Sequence, residues 1–337
     1  MNAAAAPLLE LRGVSKRFEH RLDLAGRVAR RLGANLSEST VHAVDGVSLA
    51  IHEGEVVGLV GESGCGKSTL GRLVARILDP SEGERLWRGR AYSEYAGRAS
   101  RAERLAVQMV FQDPFASLNP RLRVLDIVGE APVVHGLIPR GEREDFVAQT
   151  LERVGMDASL MRRFPHQFSG GQRSRIGIAR ALAVNPRFLV CDEAVAALDV
   201  SIQAQVLNLF IQLREELGLT YLFISHDLGV IRHVADRVVV MYLGRIVESG
   251  STAELYANPN HPYTIALIAE VPRVDARHRT YIPVKGEIPS PLAPPAGCHF
   301  HPRCPSAFPR CRDEAPRLRE IAPGRMSACH LNDLPCQ

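Results

Sequence analysis

From Leu8 to about Ser251, short apolar runs punctuated by glycine alternate with stretches whose apolar positions recur at helical spacing. The runs predict strands at Glu55–Val60, Val107–Phe111, Phe188–Cys191, Tyr221–Ile224 and Arg237–Tyr242. The periodic stretches after several of them predict helices at Lys67–Leu78, Ile202–Leu217 and Leu228–Ala235. Strand and helix in alternation is the signature of an α/β fold with a mostly parallel sheet. Between 113 and 183 the strand signals fade and helix signals dominate, which predicts a helical subdomain. Residues 19–40 are Arg-rich and without period, and read as an insertion. After Asn258 frequent prolines prevent long regular elements, leaving one helix at Tyr263–Glu270. The expected division is therefore a first domain at 1–257 and a small separate extension at 258–337.

Composition narrows the classes. The chain has 337 residues, 46% hydrophobic and 23% charged, which excludes a disordered chain and gives room for two domains. No apolar run approaches the ~18 residues of a membrane helix. The opening MNAAAAPLLE has no basic residue before its apolar stretch and is closed by Glu10 and Arg12, so it does not read as a signal peptide. A cytoplasmic protein is expected, with any membrane role supplied by a partner. A net charge of +4 without a concentrated basic stripe argues against nucleic-acid binding. Only three of the 41 basic residues are lysine, so each lysine raises the question of whether arginine could serve in its place, and Lys67 sits where a compact ammonium matters. Five of the seven cysteines (Cys298, Cys304, Cys311, Cys329 and Cys336) crowd the last forty residues. In a reducing compartment that crowding suggests metal ligation before disulfides.

Gly61-Glu62-Ser63-Gly64-Cys65-Gly66-Lys67-Ser68-Thr69 matches G-x-x-x-x-G-K-[ST], with a strand pattern before it and a helix pattern after it. Glycines let backbone N–H groups turn inward around phosphate oxygens, and the adjoining helix offers the positive end of its dipole. Lys67 is placed to reach the β- and γ-phosphates, and the Ser68 hydroxyl to ligate Mg²⁺. Cys65 occupies a variable position, where simple tolerance and a redox role both stay open. Downstream, Phe168-Ser169-Gly170-Gly171-Gln172 opens another helix, and Phe188–Glu193 is an apolar strand ending in two carboxylates. Asp192 is suited to hold Mg²⁺ and Glu193 to polarise an attacking water. Phe111-Gln112-Asp113-Pro114, Ala197-Leu198-Asp199 and Ser225-His226-Asp227 complete the series.

In this order the motifs resemble the ATP-binding subunits of ATP-binding-cassette (ABC) transporters over residues 8–255. The resemblance implies a P-loop cassette, with a mixed-sheet core and a helical subdomain, that binds and hydrolyses Mg²⁺–ATP. It makes Ser169–Gln172 the signature segment, Gln112 the glutamine that joins nucleotide and Mg²⁺ to the helical subdomain, Asp199 the dimer-loop aspartate and His226 the switch histidine. Glu193, His226, Lys67 and Gln112 become the catalytic set. The stretch Val107–Arg121, GESGCGKSTLGR at 61–72 and His261-Pro262-Tyr263-Thr264 are similar to the dipeptide/oligopeptide importer branch, and specifically to its second, F-type ATPase subunit. Nickel, glutathione or another small solute are alternative cargoes, and a soluble ABC ATPase acting on nucleic acid or ribosomes is a reading of another class.

That branch implies two ATP molecules sandwiched between this chain and a second, similar ATPase. Each would touch the Gly-rich loop of one subunit and the signature segment of the other. It also implies two membrane permease subunits, an extracytoplasmic solute-binding protein and a peripheral place on the cytoplasmic face of the membrane. Three residues depart from the branch pattern: Ala194 for Pro, Ala196 for Ser and Ser174 for Gln. None of them touches phosphate or metal in the expected site. For the adenine, Phe18 is the one aromatic in range, and stacking and core packing both stay open. Cys298, Cys304, Cys311 and Cys329 lack a C-x-x-C pair. The resemblance implies a [4Fe–4S] cluster, as in some members, beside the alternatives of zinc or plain thiols. The segment looks too poor in apolar residues to form its own core, which favours a ligand as staple.

Overall fold

A computed structural model describes residues 6–20, 38–94, 101–113, 116–270 and 286–334. In chain order the elements are β1 (Leu9–His20), β2 (Ser39–Ile51), β3 (Val56–Val60), α1 (Lys67–Val74), β4 (Glu82–Trp87) and β5 (Arg90–Ala91). Next come α2 (Arg101–Leu105), β6 (Val107–Val110), α3 (Val124–Val134), α4 (Arg143–Arg153), α5 (Gly170–Leu182), β7 (Phe188–Asp192), α6 (Val200–Leu217), β8 (Thr220–Ile224) and α7 (Leu228–Val234). The last are β9 (Arg237–Tyr242), β10 (Arg245–Ser251), α8 (Thr252–Ala257), α9 (Pro262–Ala269), α10 (Arg310–Asp313), β11 (Arg319–Ala322) and β12 (Arg325–Ser327). Of the expected insertion, Glu19 and His20 extend β1, Ser39 and Thr40 open β2, and residues 21–37 lie outside the described set. Helix α1 stops at Val74, short of the expected Leu78, because Arg76 takes a left-handed φ of 63°.

Contacts divide the chain into two compact units, and the division does not fall at 257/258. The first comprises 1–9, 51–59 and 86–237. Here β3, β8, β7 and β6 lie side by side and all parallel, with Val57 opposite Leu222, Leu189 opposite Tyr221 and Met109 opposite Val190. β7 and β8 are buried at every residue, as expected of parallel strands covered on both faces. Gly58 admits α7 to the sheet: a Cβ there would come within 2.4 Å of the Ile231 Cγ2 methyl. Parallel strands put their carboxyl ends on one edge, where ligands of such sheets bind. Helices α3, α4 and α5 form the helical insert.

The second unit comprises 10–50, 60–85 and 238–337. The extension is built into it rather than standing apart. Strand β12 pairs antiparallel with β10, Glu248 opposite Ser327 and Ser249 opposite Met326, and β11 adds to β12. Tyr242, Tyr263 and Phe300 share a cluster with ring centroids 4.7–5.4 Å apart. The Pro-rich segment therefore contributes Phe300 to an existing core and has no need of one of its own. Glu248, fully buried, accepts the N–H groups of Asn260 (2.9 Å) and His261 (2.8 Å) and thereby sets the entry to α9.

His261 caps that helix: its Nδ1 accepts the Tyr263 N–H at 3.1 Å. Burial lowers its pKa to about 4. The unfolded chain takes this proton near 6.5, so the stability attached to the neutral ring is complete above that value. It is lost as pH falls from there through about 4, up to ~3 kcal/mol in all. Denaturant titrations between pH 7 and 4.5 should show this loss in the wild-type chain. His261→Asn, which keeps a capping acceptor, should flatten it.

Candidate functional site

Strand β3 runs directly into the Gly61–Thr69 loop, and glycine is required there by conformation and by space. Gly61, Gly64 and Gly66 have φ of 152°, 78° and 108°. A Cβ on Gly61 would lie 2.2 Å from the Met241 carbonyl oxygen, and one on Gly66 would lie 2.1 Å from that of Ala43. The loop is thus wedged between the backbones of β2 and β9. The Gly244 N–H donates to the Cys65 carbonyl at 2.9 Å, and the Leu70 N–H to that of Gly66 at 2.9 Å, which starts α1. Lys67 is 5% exposed, and its ammonium donates to the carbonyls of Gly61 (2.7 Å) and Glu62 (2.9 Å). Ser63 and Gly64 are exposed, while Ser68 and Thr69 sit in the first turn of α1. Cys65 is buried, and burial raises its pKa, so its thiol is a packed, protonated group.

In the other unit three strand ends converge on one carboxylate. Gln112 comes just after β6, Asp192 and Glu193 end β7, and His226 comes just after β8. Asp192 is buried. Glu193 takes a left-handed φ of 48°, a conformation costing a non-glycine residue about 1–3 kcal/mol and found where geometry serves function. Its N–H is pinned to the Ile224 carbonyl at 3.0 Å. One carboxylate oxygen accepts Gln112 Nε2 at 2.5 Å, and the other lies 3.0 Å from His226 Nδ1. Held from both sides, the carboxylate keeps lone-pair capacity for a further donor such as water.

The same unit carries Ser169–Gln172 at the tip of α5. Ser169 Oγ accepts the Gln172 N–H at 3.3 Å, and Gln172 Oε1 accepts the Ser169 N–H at 3.0 Å, a reciprocal capping box. The Gln172 side chain is therefore turned back on its own helix, while the Ser169 hydroxyl still has its proton to donate. Gly171 allows α6 to approach: a Cβ would lie 2.4 Å from Ile202 Cγ2, whereas Gly170 faces Leu198 at 3.6 Å. Asp199 caps α6 without a side-chain hydrogen bond to it. Two of the three departing residues meet, since Ser174 Oγ lies 3.4 Å from the Ala194 carbonyl.

Phe18 is 41% exposed on β1, with Lys16 Nζ 5.5 Å from its ring centroid. Core packing is thereby corrected to a surface ring. Sequence reasoning missed the partners of Glu62. The Glu62 N–H donates to Tyr263 Oη at 2.8 Å, and Arg303 forks its carboxylate at 2.7 and 2.9 Å. These residues are about 200 and 240 positions away, beyond any local pattern; of the two, only Tyr263 lay in a recognisable motif, His261–Thr264.

The tail cysteines do not fit a single metal ion: among the described residues no three His, Cys, Asp or Glu groups could hold one. Zinc is thus not supported. Nor does the segment need a ligand as staple, because Phe300 and β12 already fix it. Burial raises the Cys298 and Cys304 pKa values, and raises that of Cys329 to about 11; the other three thiols reinforce the shift at Cys329. Cys336 lies outside the described residues.

No helix among the described residues is long and apolar enough to cross a membrane. Two family models match: ABC transporter, over residues 44–196, and the oligopeptide/dipeptide transporter C-terminal region, over 247–311. The chain is 51% identical to the oligopeptide transport ATP-binding protein AppF of Bacillus subtilis over 328 residues, covering 96% of this chain and 97% of the relative. It is 46% identical to a putative peptide import ATP-binding protein of Brucella ovis over 324 residues, with coverage of 96% and 97%. Among solved structures it resembles cbiO1 of Clostridium perfringens, part of the ABC transporter complex cbiONQ (TM-score 0.60, 28% identity, 75% of this chain and 92% of that one). It also resembles the dimeric ATP-binding cassette MJ0796 with ADP and Pi (TM-score 0.61, 27% identity, 72% and 98%).

Proposed function

The chain belongs to the ABC transporter ATP-binding subunits, in their oligopeptide/dipeptide branch, and from that premise we propose that it binds and hydrolyses ATP to drive import of di- and oligopeptides. The observation that carries the reading is the Glu193 carboxylate held between Gln112 and His226, in a chain whose Gly61–Thr69 loop buries Lys67. Gly61–Thr69 would cradle the phosphates and Lys67 would neutralise them, while Phe18 offers a face for the adenine. Ser68, Gln112 and Asp192 are the oxygen donors suited to Mg²⁺, which when bound spreads the charge of the β- and γ-phosphates. Glu193 would take the proton of the attacking water, with His226 and Gln112 fixing the carboxylate that receives it.

ABC ATPases act as dimers. The finer reading pairs this chain with a second, similar ATPase, so that Ser169–Gln172 and Asp199 serve the nucleotide bound to the facing subunit. Because only the γ-phosphate joins loop to signature, its loss opens the pair, a population shift driven by differential binding. Two permease subunits and an extracytoplasmic solute-binding protein complete the importer, and the chain sits peripherally on the cytoplasmic membrane face. The names of the relatives favour peptide over nickel or glutathione. Affinity purification from membranes should bring down two permeases and a second ATPase, and the assembly should take up labelled dipeptide with ATP. Recovery with RNA and no membrane protein would favour the soluble class instead.

The [4Fe–4S] reading of Cys298, Cys304, Cys311 and Cys329 rests on branch resemblance alone. Anaerobic purification tests it. Equal iron and acid-labile sulfide with a broad visible band carry the reading, and their absence removes it.

A further inference from the structure

We propose that Arg303 and Tyr263 are positioning residues for ATP, through which the C-terminal segment sets the affinity of the phosphate-binding loop by holding Glu62. The inference rests on the nucleotide reading of that loop and adds a control within it.

All three polar groups of Glu62 are engaged. Its carbonyl accepts Lys67 Nζ at 2.9 Å, its N–H donates to Tyr263 Oη at 2.8 Å, and its carboxylate takes both Arg303 terminal nitrogens. Two of the three partners belong to the chain beyond 257, and the third is the lysine meant for the phosphates. Glu62 thus links the extension to the ammonium that must meet the triphosphate. Arg303 is well anchored for this: its side chain is 5% exposed, and Nη1 also reaches Tyr242 Oη at 3.4 Å. Its turn is fixed by its own N–H, which donates to the Phe300 carbonyl at 3.0 Å, with Phe300 buried among Tyr242 and Tyr263. The fork is a charge-assisted bidentate pair that lysine cannot reproduce. The hydrogen bond to Glu62 raises the Arg303 pKa further, so the guanidinium stays charged.

Electrostatics gives the pair a second consequence. Glu62 places a carboxylate beside a loop that must accept a polyanion, and Arg303 cancels it. Remove Arg303 and the loop loses its brace while gaining an uncompensated negative charge next to the phosphates.

The test uses the full-length chain, with Mg²⁺–ATP titrated calorimetrically and steady-state ATPase measured alongside. Arg303→Met should raise the ATP Kd and KM about tenfold, the scale of one charge-assisted contact, with kcat within about twofold. Arg303→Lys should fall between it and the wild type. Glu62→Gln in the Arg303→Met background should recover part of the lost affinity, because the repelling charge is gone. Tyr263→Phe, which spares the ring cluster, should raise Kd several-fold. Wild-type Kd in Arg303→Met, or no recovery in the double variant, overturns the inference. Should Arg303→Met not fold, Arg303→Lys and Tyr263→Phe decide: raised Kd in both supports it and wild-type Kd in either overturns it. A wild-type chain that binds no ATP removes the nucleotide reading itself. Wild-type binding with unaffected variants removes only this inference.

Discussion

Glu193→Gln is expected to bind Mg²⁺–ATP within a few-fold of the wild-type affinity and to release phosphate about 10²–10⁴ times more slowly, the usual weight of a general base. The substitution is nearly isosteric, and the surroundings tolerate it. The amide oxygen can still accept Gln112 Nε2, which donates to the carboxylate at 2.5 Å in the native chain. The amide NH₂ can face His226 Nδ1 once the imidazole carries its proton on the other nitrogen. The basic oxygen alone disappears. Neither the left-handed backbone at Glu193 nor the Lys67 contacts depend on the charge, so binding and chemistry should separate. Phosphate release in a coupled assay, with calorimetric ATP binding on the same preparation, measures both halves. Turnover at the native rate would remove Glu193 from its role.

Gly66→Ala should have an equally large effect with the opposite signature, because binding itself should go. The added methyl would lie 2.1 Å from the Ala43 carbonyl oxygen and 2.9 Å from Met241 Cε, at a φ of 108° that L-residues rarely adopt. The Ala43 contact is with backbone, so the loop has to move rather than a side chain. The neighbouring residues Lys67 and Ser68 move with it. A displacement of about 1 Å in a positioned group is worth roughly a hundredfold, and ATP affinity should fall by at least that much. The fold should survive, since the strain amounts to about 1–3 kcal/mol. Thermal unfolding therefore gives a direct readout: saturating ATP should raise the wild-type Tm and leave that of Gly66→Ala unmoved. A normal ligand-induced shift in the variant would show that the loop does not need the conformation it has.

The central strands were legible because their sequences are nearly all apolar: the strands expected at Phe188, Tyr221 and Arg237 fall within a residue of β7, β8 and β9. The motif residues at strand ends were legible for the same reason, since a strand's carboxyl end fixes where the next residue must sit. β2 was hidden because it is long, half-exposed and mixed in polarity, so it read as the flank of an insertion. The short β11 and β12 gave no pattern of their own; they exist because β10 offers an edge to pair with. Proline density rightly signalled a change of texture after Asn258 but not a separate body, because Phe300 and Arg303 reach partners far earlier in the chain. The Gln112–Glu193–His226 contact emerged from motif order only once parallel pairing had put three strand ends together. The Glu62–Arg303 pair had no such guide.

The central claim is that ATP is held between two ATPase subunits, with the Gly-rich loop of one and the Ser169 helix tip of the other on the same triphosphate. A structure of the Glu193→Gln importer trapped with Mg²⁺–ATP measures it directly. The account predicts Ser169 of this chain within hydrogen-bonding distance of the γ-phosphate seated on the partner ATPase's loop, and Lys67 on the phosphates of the other nucleotide. Nucleotide fully enclosed by one subunit, with Ser169 far from any phosphate, would contradict it.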